Sequence, residues 1–184
     1  MTNFIPLITS IVASIFTILL IWQLLNRRKI HQAIWTVAMA LFAIAALMEY
    51  LANPEVMGPS GTLIKIYYAS AAPLVGLLGS GVLYLLVRIK IAHIYLGIVI
   101  MLALALLVGV SSTDLSEVAI SEAFQLSLPE GFREAVGLFP FLTARLPSIL
   151  LNISGGILLI GGALFSFITD THKTYNIPLI IRLI

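Results

Sequence analysis

Residues 63–87 read LIKIYYASAAPLVGLLGSGVLYLLV, twenty-five residues with one charge, Lys65, and a string of alanine, glycine and serine between larger apolar side chains. A helix needs about 20 mostly apolar residues to cross some 30 Å of hydrocarbon. This stretch has the length, and its small residues at three- and four-residue spacing are what helices in lipid use to approach one another closely. The rest of the chain repeats the theme. Similar apolar runs extend from Phe4 to Leu25, Ala33 to Leu51, Ile91 to Val110 and Leu146 to Ile168. Charged or turn-forming segments separate them: Asn26 to Lys29, Asn53 to Gly61, Arg88 to Lys90, Ser111 to Arg145 and Thr169 to Asn176. The expectation is an all-α, polytopic transmembrane bundle of five complete spans in a single domain. A sixth apolar run, Ile177–Ile184, covers only about 12 Å as a helix. Its sequence looks like the entry to a further span, so a longer parent chain is expected.

Composition agrees. The 184 residues are 60% hydrophobic and 10% charged, with a mean hydropathy of +1.11. A soluble domain has roughly a quarter of its residues charged, so a wetted shell is not available to this chain. A net charge of +2 with scattered basic residues gives no nucleic-acid surface. With no cysteine there is no disulfide, thiolate metal site or thiol nucleophile.

Arg27, Arg28, Lys29, Arg88, Lys90 and Lys173 follow the first, third and fifth runs, whereas the other side has Lys65, Arg133 and Arg145 but collects the acids Glu55, Asp114, Glu117, Glu122, Glu130 and Glu134. The positive-inside rule then puts the amino terminus outside and the chain in the cell membrane. No charge precedes the first span and its basic cluster follows it, the reverse of a cleavable signal. Trp22, Trp35, Tyr84 and Tyr95 fall at inner ends, and Tyr50, Tyr67, Tyr68, Phe139 and Phe141 at outer ends, as interfacial rings prefer. The connection 111–145 is too long for a turn. It reads as an outer helical cap: a cap at Ser112-Thr113-Asp114, a short helix carrying Leu115, Val118, Ile120 and Phe124, a break at Pro129, and a second element from Gly131 to Gly137.

Two small-residue stripes follow from the spacing. One holds Lys65, Ala69, Ala72, Gly76 and Ser80, with Pro73 able to bend the helix; the other holds Arg145, Ser148, Asn152, Gly155, Gly162 and Ser166. Helix packing through Ala69, Ala72, Gly76, Gly155 and Gly162 is the simple reading, and a groove lined by Gly76, Asn152 and Gly155 is the functional one. Each stripe ends in a cation at the outer interface. Glu49, about 24 Å along the second helix from Ala33, lies at the same depth. An ion pair of Glu49 with Lys65 or Arg145 is expected to lock three helices, and Glu49→Gln to cost on the order of 1 kcal/mol. The alternative is a polar binding site of Glu49, Lys65, Tyr68, Arg145 and Asn152 open to the outer face.

His31, His93 and His172 fall at the inner level and are weak metal candidates beside Asp170, since no spacing is a metal motif. No metal or other cofactor is implied. Mid-span ionisable groups, nucleotide loops and nucleophile elbows are missing from the sequence, as is any internal repeat of transporter type. Asn152-Ile153-Ser154 matches the glycosylation pattern only inside a span.

The segment Tyr67 to Gly79, continuing through Tyr84-Leu85-Leu86, resembles a helix of uncharacterised multi-spanning proteins of archaea and bacteria, some with seven predicted helices. Leu146 to Ser166 is similar to a later helix of the same proteins. The resemblance implies a longer parent chain and brings no activity. The isoleucine-rich composition suits a thermophile. The functional expectation is a non-catalytic accessory or scaffold subunit of a larger membrane complex, with the bilayer and other membrane subunits as partners. The alternative is a carrier or receptor for a lipid, quinone or other small apolar ligand, entering between the second, third and fifth spans. An enzyme using the histidines on lipid ranks third.

Overall fold

A computed structural model describes residues 4–124 and 128–175. It is all-helical among those residues: α1 Ile5–Arg27, α2 Ile30–Leu51, α3 Gly61–Ala71, α4 Leu74–Leu86, α5 Ile89–Ser111, α6 Glu117–Ala123, α7 Leu128–Gly137, a π-helical turn Phe141–Arg145, and α8 Leu146–Tyr175. By length and composition five segments can cross a membrane: α1, α2, α3 with α4, α5, and the π-turn with α8 up to Ile168. The expected run 177–184 lies outside the described residues.

Local chemistry sets the boundaries. Pro6 sits in the first turn of α1, where its missing N–H costs nothing. Arg28 ends that helix in the left-handed region, φ 48°, with its N–H on the Leu24 carbonyl at 2.8 Å, and α2 starts two residues later. Asn53 folds the next turn by accepting the Glu55 N–H at 3.1 Å, and Gly58 supplies a φ of +80°. The Ser60 hydroxyl then caps α3. Pro73 does more than bend the third span: the helix stops at Ala71 and restarts at Leu74, because proline has no N–H for the Ala69 carbonyl four residues back.

The third span is the hub. Its two halves pack on α2, α5 and α8, while α1 packs chiefly on α2. The interior is small and the exterior large. Ala13, Ala38, Ala43, Ala45, Ala46, Ala72, Ala92, Ser10 and Ser80 are buried, whereas Ile8, Ile15, Phe16, Ile98, Met101 and Ile160 are exposed. That distribution is compatible with helices packed in lipid, which approach one another through small residues.

Large buried side chains cluster at one end, where α6, α7 and the π-turn cover the bundle. Leu63, Ile64, Tyr68, Leu106, Ile120, Phe132 and Phe139 form one buried cluster there. The cap differs from its sequence reading in two details. Ser116, not the 112–114 segment, caps α6, accepting the Ala119 N–H at 3.2 Å. Pro129 lies inside the first turn of α7 and does not break it, because proline is tolerated where helical N–H groups have no partner anyway.

Candidate functional site

Glu49 lies in the last turn of α2, half-buried. Together with Ile5, Pro6, Thr9, Phe42, Ala45, Ala46, Tyr67, Ala71 and Leu74 it lines a cavity of about 280 Å³ between α1, α2 and the α3–α4 break. Neither Lys65 nor Arg145 reaches it, and the expected ion pair is not made among the described residues. The reason is angular. Tyr67, Ala71 and Leu74 define the face of the third span that meets Glu49. Lys65 is two residues from Tyr67, about 200° away around the helix, so it points to the opposite side. Arg145 is occupied on its own turn, its guanidinium 5.9 Å from the centre of the Phe141 ring.

Tyr68 and Asn152 belong to the other face. The Tyr68 hydroxyl donates to the Ala144 carbonyl at 3.3 Å, and its ring stacks on Phe139 with centroids 4.9 Å apart. Asn152 Nδ2 donates to the Ser148 carbonyl at 2.8 Å and, more weakly, to the Ala72 carbonyl at 3.4 Å. That second bond reaches a carbonyl at the Pro73 break. The five predicted site residues therefore do not converge: Glu49 is walled off with α1, Tyr68 and Asn152 tie α3 to the π-turn and α8, and Arg145 stays on its own turn.

The small-residue positions divide likewise. Gly76, Gly155 and Gly162 meet at the α4–α8 seam. A Cβ on Gly155 would collide with the Val75 backbone, one on Gly162 with Val82, and one on Gly76 would lie 2.9 Å from a Leu151 methyl. Gly79 completes the seam, since its Cβ would lie 2.8 Å from the Gly155 Cα. Ala72 sits beside it, buried. Ala69 faces another way. It lines a second, apolar cavity of about 430 Å³ with Leu41, Ile66, Pro73, Leu77 and Leu104, in the notch between α2 and α5 at the proline break. Ser70 also lines it, but its hydroxyl is spent on the Ile66 and Tyr67 carbonyls at 2.7 and 3.0 Å.

The histidines are engaged separately. His31 meets Trp35 edge-on at 5.5 Å; His93 bonds the Ile89 carbonyl through Nδ1 at 2.7 Å and meets Tyr84 edge-on at 5.2 Å. The side chains of Asp170 and His172 lie outside what is described. No group of three potential metal ligands occurs among the described residues.

Several polar contacts escaped the sequence reading. Ser10 donates to the Ala43 carbonyl at 2.9 Å, Tyr95 to Ser154 at 3.0 Å, and the Trp35 indole to the Leu78 carbonyl at 3.4 Å across Gly81. In the cap, Phe132 lies between Tyr67 and Phe124, at 4.2 and 5.1 Å between ring centres. Single serines and aromatics carry no spacing signal, although a glycine facing an indole would have been a fair guess for Gly81. No protein-family model matches the chain, and neither a curated protein nor a solved structure matches it.

Proposed function

We propose that this chain is a non-catalytic, membrane-embedded accessory or scaffold subunit of a larger membrane complex. The observation that carries this reading is α1. Of its 23 residues only Pro6, Ser10, Ala13 and Leu20 are buried, so a long apolar helix is held along one side and offers the rest to a neighbour. The polar side chains that join helices support it as well: those of Tyr68, Asn152, Ser10 and Tyr95 are committed to structural hydrogen bonds. Photo-crosslinking amino acids at Ile11, Ile15 and Phe16, activated in the native membrane, test it. Discrete protein adducts are expected, and lipid adducts alone at all three positions would end the subunit reading.

A second reading is favoured by the 430 Å³ notch beside Pro73. Its size and apolar walls suit part of a lipid, quinone or other small apolar molecule, entering from the side between α2 and α5. This is not the entry expected from the sequence, between the second, third and fifth spans. Mass spectrometry of the gently purified chain is expected to find one retained apolar molecule. Ala103→Trp, which fills the notch, should eliminate it; retention in that variant excludes this reading.

A further inference from the structure

The α1–α2 cavity holds a carboxyl group that the scaffold reading does not use. Glu49 is half-buried in the last turn of an apolar helix, and among the described residues it makes no hydrogen bond or ion pair. A half-buried carboxylate without a partner has lost part of its hydration, and an incoming cation would offset that loss. The cavity around it is otherwise apolar or aromatic. Phe42, Ala46 and Leu74 form walls, and Tyr67, whose ring packs on Phe132, lies alongside. The Tyr67 hydroxyl has no hydrogen-bond partner among the described residues and can accept one N–H. Thr9 is already committed, its hydroxyl donating to the Ile5 carbonyl at 2.9 Å. At about 280 Å³ the space is at the small end for a ligand pocket.

We propose that this cavity, with the Glu49 carboxylate as its anchor, binds a small lipophilic ammonium ion whose apolar body lies between α1 and the α3–α4 break. The occupant carries one positive charge and a short hydrocarbon or aryl group. Its ammonium contacts Glu49 and Tyr67, and its body packs on Phe42, Pro6 and Leu74. The site is independent of whether the chain is a subunit or carries an apolar molecule in its other cavity.

The competing account is that Glu49 only complements the positive amino-terminal end of α1, whose first-turn residues Ile5 and Pro6 line the same space. Equilibrium dialysis of the purified 184-residue chain in detergent separates the two. The probes are 2-phenylethylammonium and its neutral near-isostere 2-phenylethanol, each corrected for protein-free micelles. A charge-assisted contact is expected to make the ammonium bind about tenfold or more tightly than the alcohol. Glu49→Gln should abolish that preference while leaving alcohol binding in place. Ala45→Leu, which fills the cavity without touching the charge, should remove both. Equal binding of the two probes to the unaltered chain overturns the proposal, as does an unchanged preference in Glu49→Gln. Should Glu49→Gln not fold, undiminished ammonium binding in Ala45→Leu overturns it instead.

Discussion

The contact between α4 and α8 and the contact between α1 and α2 use small residues for different ends. Along α4 and α8, which run in the same direction from the cap, glycine meets glycine and backbone meets backbone. Gly79 and Gly155 leave no room for a methyl group on either side. Between α1 and α2, which run in opposite directions, alanines and serines suffice, and one hydroxyl, that of Ser10, bonds across the contact. The first contact is set by steric exclusion and the second by ordinary packing with a hydrogen bond. A glycine stripe therefore marks where backbones touch, and an alanine stripe only where helices adjoin.

The sharpest way to break this comparison is Gly155→Ala. The new methyl would meet the Val75 carbonyl and the Gly76 nitrogen, which cannot rotate aside, so a loss of about 3 kcal/mol is expected, at the upper end for overpacking. Equilibrium unfolding in mixed micelles measures it, and a loss below about 1 kcal/mol would mean that the seam opens without resistance. The adjacent change Gly156→Ala should go the other way. Nothing lies within 4 Å of its would-be Cβ, so the gain in helix propensity, up to about 1 kcal/mol, is unopposed. Gly76→Ala presses on the mobile end of Leu151 rather than on backbone and should cost about 1 kcal/mol in the same assay. Ser10→Ala removes the bond to the Ala43 carbonyl and should cost about 0.6 kcal/mol, the average for polar contacts between membrane helices; faster amide exchange confined to α1 would locate the loss. The smallest effect is assigned to Glu49→Gln. Without an ionic partner among the described residues, its stability should change by less than about 0.5 kcal/mol. A loss near the 1 kcal/mol expected from the sequence would reinstate an ion pair.

Periodicity and length made the helices legible. The five apolar runs match the observed span-length segments to within a few residues, apart from the start of the last, because run length against hydrocarbon thickness is a coarse and robust signal. That the loop 111–145 folds over the bundle was also readable, from a polar stretch too long to be a turn. Direction around a helix axis was harder to read. Lys65 and Glu49 are expected at one depth but do not share a face, and depth is what hydropathy reports. Ala69 shares a stripe with Gly76, yet lies on the notch and not on the seam, because the chain restarts at Leu74 and the stripe does not continue straight through Pro73. Pro129 was misjudged because a proline ends a helix or begins one according to which turn it occupies. The aromatic sandwich around Phe132 joins residues 67, 124 and 132, a pairing of distant positions that no local pattern encodes.

The break at Pro73 also sets an order of events during synthesis. A chain is made from its amino terminus, so the third span is complete well before the π-turn and α8 exist. The Tyr68 hydroxyl must wait for Ala144, 76 residues later, and the Ala72 carbonyl for Asn152, 80 residues later. Through that interval the spans from α1 to α5 have a hub whose final hydrogen bonds are unmade. Completion of these contacts thus falls to the π-turn and α8, and a chain stalled before residue 144 should show faster amide exchange in α3 and α4 than the 184-residue chain.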